Sequence, residues 1–350
     1  MAKRRYPDAT EVELGYFELS THLIALEVLR RGYTIEWINR SFFLTDFGGD
    51  LVGFWCTRTT VNGGVGIKVS TRKDITRRLM ERAGVPVAAG GEFRSVEAAA
   101  EWIEHHGYPV VVKPIAATKG RGVTVGIRDR EGLEIAWSYA LAAQRGNRLL
   151  VEQVFTGREA RFLVVGDRCV GVYGRVSPRV TGDGTRTIRD LIAAKNEARR
   201  ANPHLKRRLI ELTDHRIAEL KHQGYGPDDV LEDGVEVVLD ENANLSIGAD
   251  SVELTNTVHP SLKAAAERAV RAVPGLSVAG VDIIAKDLTS PDGDGHVVLE
   301  LNTMPGIGAH HSPAIGEPRD AAGAIVDWHV RRYRPAGLLT RRRRRSAMAT

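Results

Sequence analysis

The sequence predicts a mixed α/β (α+β) fold, because segments with helical periodicity alternate with short apolar segments that are typical of buried strands. The clearest helix starts after the capping residue Ser95 and ends at Gly107. An apolar strand, residues 110–114, follows it directly. Residues 149–165 have strand, turn, strand character. A chain of 350 residues can bury a substantial core, as one large domain or two to three smaller ones.

The composition is that of an ordinary soluble protein, with 43% apolar and 27% charged residues. No run approaches 18 uncharged apolar residues, and no apolar core follows the basic N-terminus, so we expect neither a membrane span nor a signal peptide. We therefore predict a cytoplasmic location. Cys56 and Cys169 lie far apart in the sequence. They are interpreted as structural thiols, because disulfide scaffolds and thiolate zinc sites need paired cysteines.

The positive charge is concentrated at the C-terminal end. The formal charge is +5, and the arginine run 341–345 supplies five positive charges, so the rest of the chain is formally neutral. We interpret residues 331–350 as a disordered basic tail, because such runs are usually solvated. Nucleic-acid binding through this tail is the non-enzymatic alternative, and we do not expect it to be the function.

The N-terminal part predicts a small α/β domain, residues 1–68. Residues 17–31 have the pattern of a helix that Gly32 ends, and residues 33–38 follow as a strand. Between 42 and 68, glycine pairs and alternating apolar residues predict strands and turns. A capping box at residues 71–74 then predicts a helix that stops at Gly84.

Two apolar strands near the C-terminal end carry oxygen ligands. Residues 297–302 deliver Glu300 and Asn302 on one face of a strand, and residues 278–284 carry Asp282. Pairing of the two strands would bring the three side chains together, and Mg²⁺ takes such carboxylate and amide oxygens alongside substrate phosphates. The alternative is that all three are ordinary polar residues of strands.

Two lysines and a glycine-rich loop are candidates for binding an anion. Lys73 lies in the first turn of its helix, where a cation opposes the helix dipole, and Lys113 closes an apolar strand, where it needs an anionic partner. Residues 116–125 follow as a small, basic, glycine-rich segment whose backbone N–H groups could approach a phosphate. A solvated Lys73 and a plain hairpin are the alternatives.

Three further segments carry polar residues of interest. Glu152 and Glu159 flank a turn whose backbone could face an adenine, or they are simply surface acids of a hairpin. The polar loop 242–251 has the length and composition of a functional loop. His259 is interpreted as a helix cap or core histidine in preference to a catalytic residue.

Taken in this order, the lysines, the glycine loop, the 152–159 hinge, Asp282 and Glu300-x-Asn302 resemble the ATP-grasp ligase superfamily. The chain looks most similar to the ATP-grasp modules of the cyanophycin synthetase and bifunctional glutathione synthetase families. This closer resemblance rests on residues 180–185, 244–251, 258–260 and 301–306. It covers roughly residues 10–330.

The resemblance implies an ATP-grasp fold, in which two α+β subdomains clamp ATP and the small α/β N-terminal domain precedes them in the sequence. The ATP-grasp domain would span residues 69–330, with a lid subdomain at about 90–152. ATP would be bound by Lys73, Lys113, Thr118, Lys119, Gly120, Gly122, Glu152, the backbone of Gln153, Val154 and Phe155, and Glu159. Two Mg²⁺ ions, with Mn²⁺ as an alternative, would be held by Asp282, Glu300 and Asn302.

The implied activity is an ATP-dependent carboxylate–amine ligase that forms an amide bond between amino acids or peptides through an acyl phosphate. Arg161, Arg175 and Asn244 would contact the substrates or the acyl phosphate, although Arg161 could instead pair with Glu159. The alternatives are a glutathione-synthetase-like ligase that acts on a γ-glutamyl dipeptide and an acyl-phosphate-forming kinase. Similar ligases have a hydroxyl residue and a glycine at the positions of Ile247 and Ala249, so the identity of the substrate is left open. The sequence also leaves open whether the protein forms a homo-oligomer.

Overall fold

The computed structural model describes residues 6–116, 120–241 and 243–333, apart from the side chain of Ser246. The α-helices in these ranges are α1 Leu19–Arg30, α2 Gly64–Ser70, α3 Lys73–Arg82, α4 Val96–His106, α5 Arg130–Ala142, α6 Ile188–Ala201, α7 Asp214–His222, α8 Pro260–Arg271, α9 Gly308–His311 and α10 Ala321–Tyr333. None of these helices is long and apolar enough to cross a membrane.

The strands of the same ranges are short and pair antiparallel wherever their register is described. They are β1 Ile35–Asn39, β2 Phe42–Asp46, β3 Leu51–Trp55, β4 Arg58–Thr59, β5 Gly90–Phe93, β6 Val110–Pro114, β7 Thr124–Ile127, β8 Leu149–Gln153, β9 Arg158–Val165, β10 Arg168–Val176, β11 Arg179–Thr181, β12 Glu236–Val238, β13 Asp250–Glu253, β14 Val278–Ala285 and β15 His296–Asn302.

The chain forms two compact units. Unit 1 comprises the described residues of 1–60, 173–254 and 306–350. In it, β1 to β4 form an antiparallel sheet in sequential order, and α1 packs against α10. Aromatic rings fill this part of the core, with Phe17 stacked on Trp37 at 3.7 Å and Phe43 on Phe54 at 5.1 Å between centroids. A second cluster of buried aliphatic residues joins β11 and β12 to α6 and α7.

Unit 2 comprises residues 61–172 and 255–305. Its first sheet has the strand order β5-β8-β6-β7; we call it the Lys113 sheet, after the lysine on β6. Helices α4 and α5 cover it and share a hydrophobic core with it. Its second sheet places β14 between β9 and β15, with α8 packed against β14. These two sheets of unit 2 position the side chains described below.

Several local predictions are confirmed. Ser95 caps α4 by accepting a hydrogen bond from the N–H of Ala98 at 3.3 Å, and Gly107 ends the helix. His259 caps α8 through its Nδ1 atom, which accepts from the N–H of Ser261 at 3.2 Å. The histidine is therefore structural, as its sequence context indicated.

The predicted capping box at residues 71–74 is wrong. Helix α3 begins after Arg72, which makes no side-chain capping bond, and Asp74 pairs with Arg72 at 2.6 Å instead. Thr71 belongs to the end of α2, where its hydroxyl donates to the carbonyl of Lys68 at 2.7 Å. The sequence did not predict α2, because its glycine-rich start is more typical of a turn. Its Gly66 lies so close to the backbone of Gly275 that a Cβ would come within 2.8 Å.

Candidate functional site

A buried carboxylate in unit 2 holds two cations. Glu152, on β8, accepts from Lys113 Nζ on the neighbouring strand β6 at 2.6 Å and from Arg77 Nη1 on α3 at 2.6 Å. The Glu152 side chain is only 8% exposed. The anionic partner that Lys113 required is therefore Glu152, although the sequence had suggested an adenine contact for this acid. Arg77 also pairs with Glu81 on its own helix at 3.0 Å, so Glu152 is shared between Lys113 and an arginine that has a second carboxylate partner.

Lys73 lies at the first position of α3 and approaches the same group. Its Nζ atom is 3.8 Å from an Oε atom of Glu300. Burial lowers the pKa of Lys73 below its ordinary value, the positive charge of Lys113 lowers that pKa further, and the carboxylates of Glu300 and Glu152 raise it. The two lysines predicted to bind phosphates are thus close enough to repel one another electrostatically. An anion bound nearby would relieve this repulsion.

A row of charged residues crosses the second sheet of unit 2. Arg161 on β9, Asp282 on β14 and Glu300 on β15 are direct partners in the strand register. Arg161 binds both carboxylate oxygens of Asp282, with distances of 2.6 Å from Nε and 2.5 Å from Nη2. Asp282 is therefore a described partner of Arg161. Asp282 is buried, whereas the Glu300 side chain is 46% exposed.

The residues of this row fit a Mg²⁺ ion that also binds substrate phosphates. Glu300 and Asp282 face each other in register, and Asn302, two residues beyond Glu300, accepts from the N–H of Met304 at 3.0 Å. A carboxylate can ligate a metal while it accepts hydrogen bonds, because each oxygen has two lone pairs. In the described ranges, no group of three or more His, Cys, Asp or Glu could hold a metal by itself. Phosphate oxygens would complete the coordination.

The described residues include part of the glycine-rich loop after β6. Thr118 and Lys119, both predicted to bind ATP, lie outside the described residues. Gly120 and Gly122 have φ angles of +70° and +73°, in the left-handed region that favours glycine. A Cβ at Gly122 would lie 2.5 Å from the Cβ of Ala143, whereas a Cβ at Gly120 would meet nothing within 4 Å. Gly122 therefore fixes the loop against α5.

Because of this difference, we expect alanine to destabilise the fold more at Gly122 than at Gly120. Gly120→Ala should lower the free energy of unfolding by ~1–2 kcal/mol, the cost of a left-handed conformation alone. Gly122→Ala should lower it by about 1–3 kcal/mol more, because its methyl group overpacks the contact with α5. Urea unfolding of both variants measures the two values. Equal losses would show that the Gly122 contact relaxes without cost.

The backbone of the 153–155 segment is already engaged in unit 2. The N–H of Gln153 donates to the carbonyl of Ala89 at 2.8 Å, and the N–H of Val154 donates to that of Pro109 at 3.0 Å. These two N–H groups would have to leave their partners before they could serve an adenine, which the sequence did not indicate. Glu159, the predicted ribose contact, is exposed on β9.

Comparison with known proteins identifies the fold that carries these side chains. Residues 71–171 match the family model of the phosphoribosylglycinamide synthetase ATP-grasp (A) domain. The solved structure of a bifunctional glutathione synthetase from Pasteurella multocida matches with a TM-score of 0.72 and 27% identity, over 90% of this chain and 44% of that one. The chain belongs to the ATP-grasp superfamily. The fold class and the family predicted from the sequence are both confirmed.

The curated relatives of this ATP-grasp chain are longer proteins. The cyanophycin synthetase of Trichormus variabilis is 35% identical over 316 residues, which cover 88% of this chain and 34% of the relative. The glutathione biosynthesis bifunctional protein GshAB of Clostridium perfringens is 29% identical over 325 residues, which cover 90% of this chain and 41% of the relative. The chain thus spans less than half the length of either relative.

Two predicted site residues of the ATP-grasp chain lie in unit 1. Arg175, on β10, is the register partner of Ser251 on β13. Asn244 is exposed, and its carbonyl accepts from the N–H of Ile247 at 3.1 Å and from that of Ala249 at 3.3 Å. The predicted polar loop is partly regular structure, a 3-10 helix followed by β13. Asp250, at the start of β13, is buried and pairs with Lys195 at 2.6 Å and with Arg199.

Sequence reasoning missed Arg77, which holds Glu152 from α3. A signal was present: Arg77 follows Lys73 by four positions, so the two side chains lie on the same face of α3. The buried partner on β8 was not deducible, because the pairing depends on how three separate elements pack. The pairing of Arg199 with Asp250 was not predicted for the same reason.

Proposed function

We propose that this ATP-grasp chain is an ATP-dependent carboxylate–amine ligase, which joins an amino acid or peptide to an amine through an acyl phosphate. The arrangement of Lys73, Lys113 and the Asp282–Glu300 pair supports this proposal most strongly. Two repelling lysines suit a polyphosphate, and oxygen ligands next to one of them suit the divalent ion that accompanies it. The names of the relatives, a cyanophycin synthetase and a glutathione biosynthesis protein, add support for amide formation.

The proposed reaction has two steps. A carboxylate oxygen of the first substrate attacks the γ-phosphorus of ATP, the bond to the bridging oxygen breaks, and ADP leaves behind an acyl phosphate. The amine nitrogen of the second substrate then attacks the acyl carbon, phosphate leaves, and the nitrogen loses a proton. Neither step requires a protein nucleophile, so the work of the chain is alignment and stabilisation of charge.

The described residues have corresponding roles in this proposal. Lys73 and Lys113 bind phosphate oxygens, and Arg77 holds the Glu152 carboxylate that it shares with Lys113. Asp282, Glu300 and Asn302 would hold the magnesium, whose chemistry there is to neutralise negative charge on the phosphates. The presence of two ions is part of the proposal, and Mn²⁺ remains the alternative metal.

The domain boundaries remain a proposal as well. We propose an ATP-grasp module at residues 69–330 with residues 90–152 as its lid, and a cytoplasmic enzyme that acts on small amino acid or peptide substrates. Arg161, Arg175 and Asn244 are the proposed substrate contacts. Of these, Arg161 already binds Asp282, so it would link the metal ligand to a substrate carboxylate or to the acyl phosphate.

The test is a matrix of amino acids and dipeptides, scored by ADP release in the presence of Mg²⁺ and by the mass of the product. An amide product from at least one pair, formed with one ADP per bond, is expected. ADP release without amide, together with a phosphorylated acceptor, would point to a kinase. If no pair releases ADP while the chain still binds ATP, the ligase proposal fails.

A further inference from the structure

A cavity within unit 1 is separate from the side chains assigned above. Its volume is about 420 Å³, which is in the range of pockets for small ligands. Three segments line it: residues 15–20 at the start of α1, residues 203–208 after α6, and residues 306 and 308. We call it the Arg208 cavity. The proposed ligase chemistry has not used any residue of this cavity.

The lining is strongly basic on one side. Lys206, Arg207 and Arg208 are consecutive lining residues, and none of the three pairs with a carboxylate of the described ranges. Lys206 Nζ donates to the carbonyl of Leu14 at 2.5 Å. The one acidic lining residue, Glu18, is used as the cap of α1, where its carboxylate accepts from the N–H and the hydroxyl of Thr21 at 2.8 and 3.0 Å.

Arg208 is held in place on the cavity wall by His204. Its Nη1 atom donates to the carbonyl of His204 and to the Nδ1 atom of the same residue at 3.2 Å. His204 is buried, and burial lowers its pKa to about 3, so the ring is neutral and Nδ1 can accept. Gly308 packs against this ring, because a Cβ at Gly308 would lie 2.6 Å from Nδ1. The orientation of Arg208 is therefore fixed before any ligand arrives.

The half-buried guanidinium of Arg208 has neutral acceptors in His204 but pairs with no carboxylate of the described residues, so its lost hydration is only partly replaced. Burial accordingly lowers the pKa of Arg208. An anionic ligand would restore the lost stabilisation, and a carboxylate matches the planar fork of the guanidinium best. Because Glu18 lines the same cavity, a group with one negative charge suits it better than a doubly charged phosphate.

We propose that the Arg208 cavity binds the free carboxylate of an amino acid or peptide substrate, with Arg208 as its main contact. The proposal rests on the proposed ligase function and names where one of the two substrates is recognised. It implies that a substrate must retain this carboxylate after the reaction, so the group bound here is not the one that reacts with ATP.

The experiment compares acids with their amides in direct binding. L-Aspartate, L-glutamate and L-arginine, each as free acid and as α-carboxamide, are titrated calorimetrically into the full chain, with inorganic phosphate as a further probe. The wild-type chain should bind at least one acid on the order of tenfold more tightly than its amide. Arg208→Gln should abolish that preference and leave the affinity for ATP unchanged. Arg200→Gln, an exposed arginine of unit 1 outside the cavity, is the matched control and should keep the preference.

Several outcomes would overturn the proposal: no acid preference in the wild-type chain, a preference that survives Arg208→Gln, or phosphate binding as tight as the best acid. If Arg208→Gln does not fold, Arg208→Lys keeps the charge without the fork and should lose most of the preference. Binding needs no turnover, so this result is independent of ligation. An Arg208-dependent preference without ADP release in the substrate matrix would retain the cavity assignment and reject the ligase.

Discussion

Glu300→Gln is expected to reduce kcat for amide formation on the order of 100-fold, the scale on which loss of one preorganised electrostatic contact slows an enzyme. The substitution keeps the shape of the side chain but removes the negative charge that would bind Mg²⁺. The fold should be retained, because the Glu300 side chain is half exposed and its cation, Lys73, is 3.8 Å away. Steady-state rates at several Mg²⁺ concentrations, together with thermal unfolding, provide the measurement.

Glu236→Gln is the matched control for this prediction. Glu236 is also a half-exposed glutamate at a strand, and it also faces a cation, Arg179, at 3.0 Å. It lies in unit 1 and is no candidate ligand, so its removal should leave kcat within about twofold, as for a surface substitution of ~0.5 kcal/mol or less. If Glu300→Gln turned over like the wild-type chain at limiting Mg²⁺, the assignment of the metal site would be wrong.

Lys113→Ala is expected to weaken nucleotide binding by about 10- to 100-fold, which corresponds to a charged hydrogen bond of ~1.5–3 kcal/mol. The buried Glu152 would still pair with Arg77 at 2.6 Å, so the protein should fold, although with lower stability. Calorimetric titration with ADP or with a non-hydrolysable ATP analogue measures the change.

Unit 1 contains an ion pair of the same type, which provides a control for Lys113→Ala. In unit 1, Lys195 pairs at 2.6 Å with a buried carboxylate, Asp250, which an arginine, Arg199, also binds. Lys195→Ala thus removes the same type of ion pair as Lys113→Ala and should cost a similar amount of stability. Only Lys113→Ala should weaken nucleotide binding. Equal affinities in both variants would remove Lys113 from the phosphate site.

The sequence predicted the elements that depend on local signals. Ser95, Gly107 and His259 act on their own helix ends, so each could be interpreted without its neighbours. The pairing of the strands that carry Asp282 and Glu300 was also predicted correctly, because two adjacent apolar strands joined by a short connection favour antiparallel pairing.

What could not be predicted depends on packing between distant segments. The partners of Lys113 and Arg161 lie 39 and 121 residues away, and both pairs follow from strand registers that are decided by the whole sheet. For Arg208, the sequence could not show that a carboxylate partner is lacking among the described residues. Its run of three cations was visible in the sequence, but only the fold shows that no described carboxylate meets it and that His204 holds it on a cavity wall.

The Lys113 sheet has a consequence for local opening. The Lys113 sheet has its own hydrophobic core with α4 and α5. Only four residues, 154–157, connect its strand β8 to β9 of the second sheet. Such a unit is expected to open cooperatively, with amide hydrogen exchange of β6 and β8 reporting a common free energy. Arg77 on α3 binds Glu152 on β8, so we expect this ion pair to oppose opening of the sheet and to favour its closed state. A nucleotide that binds Lys113 only in that closed state should slow exchange of these amides by a factor of 1 + [L]/Kd, which makes the protection of β8 a measure of nucleotide affinity.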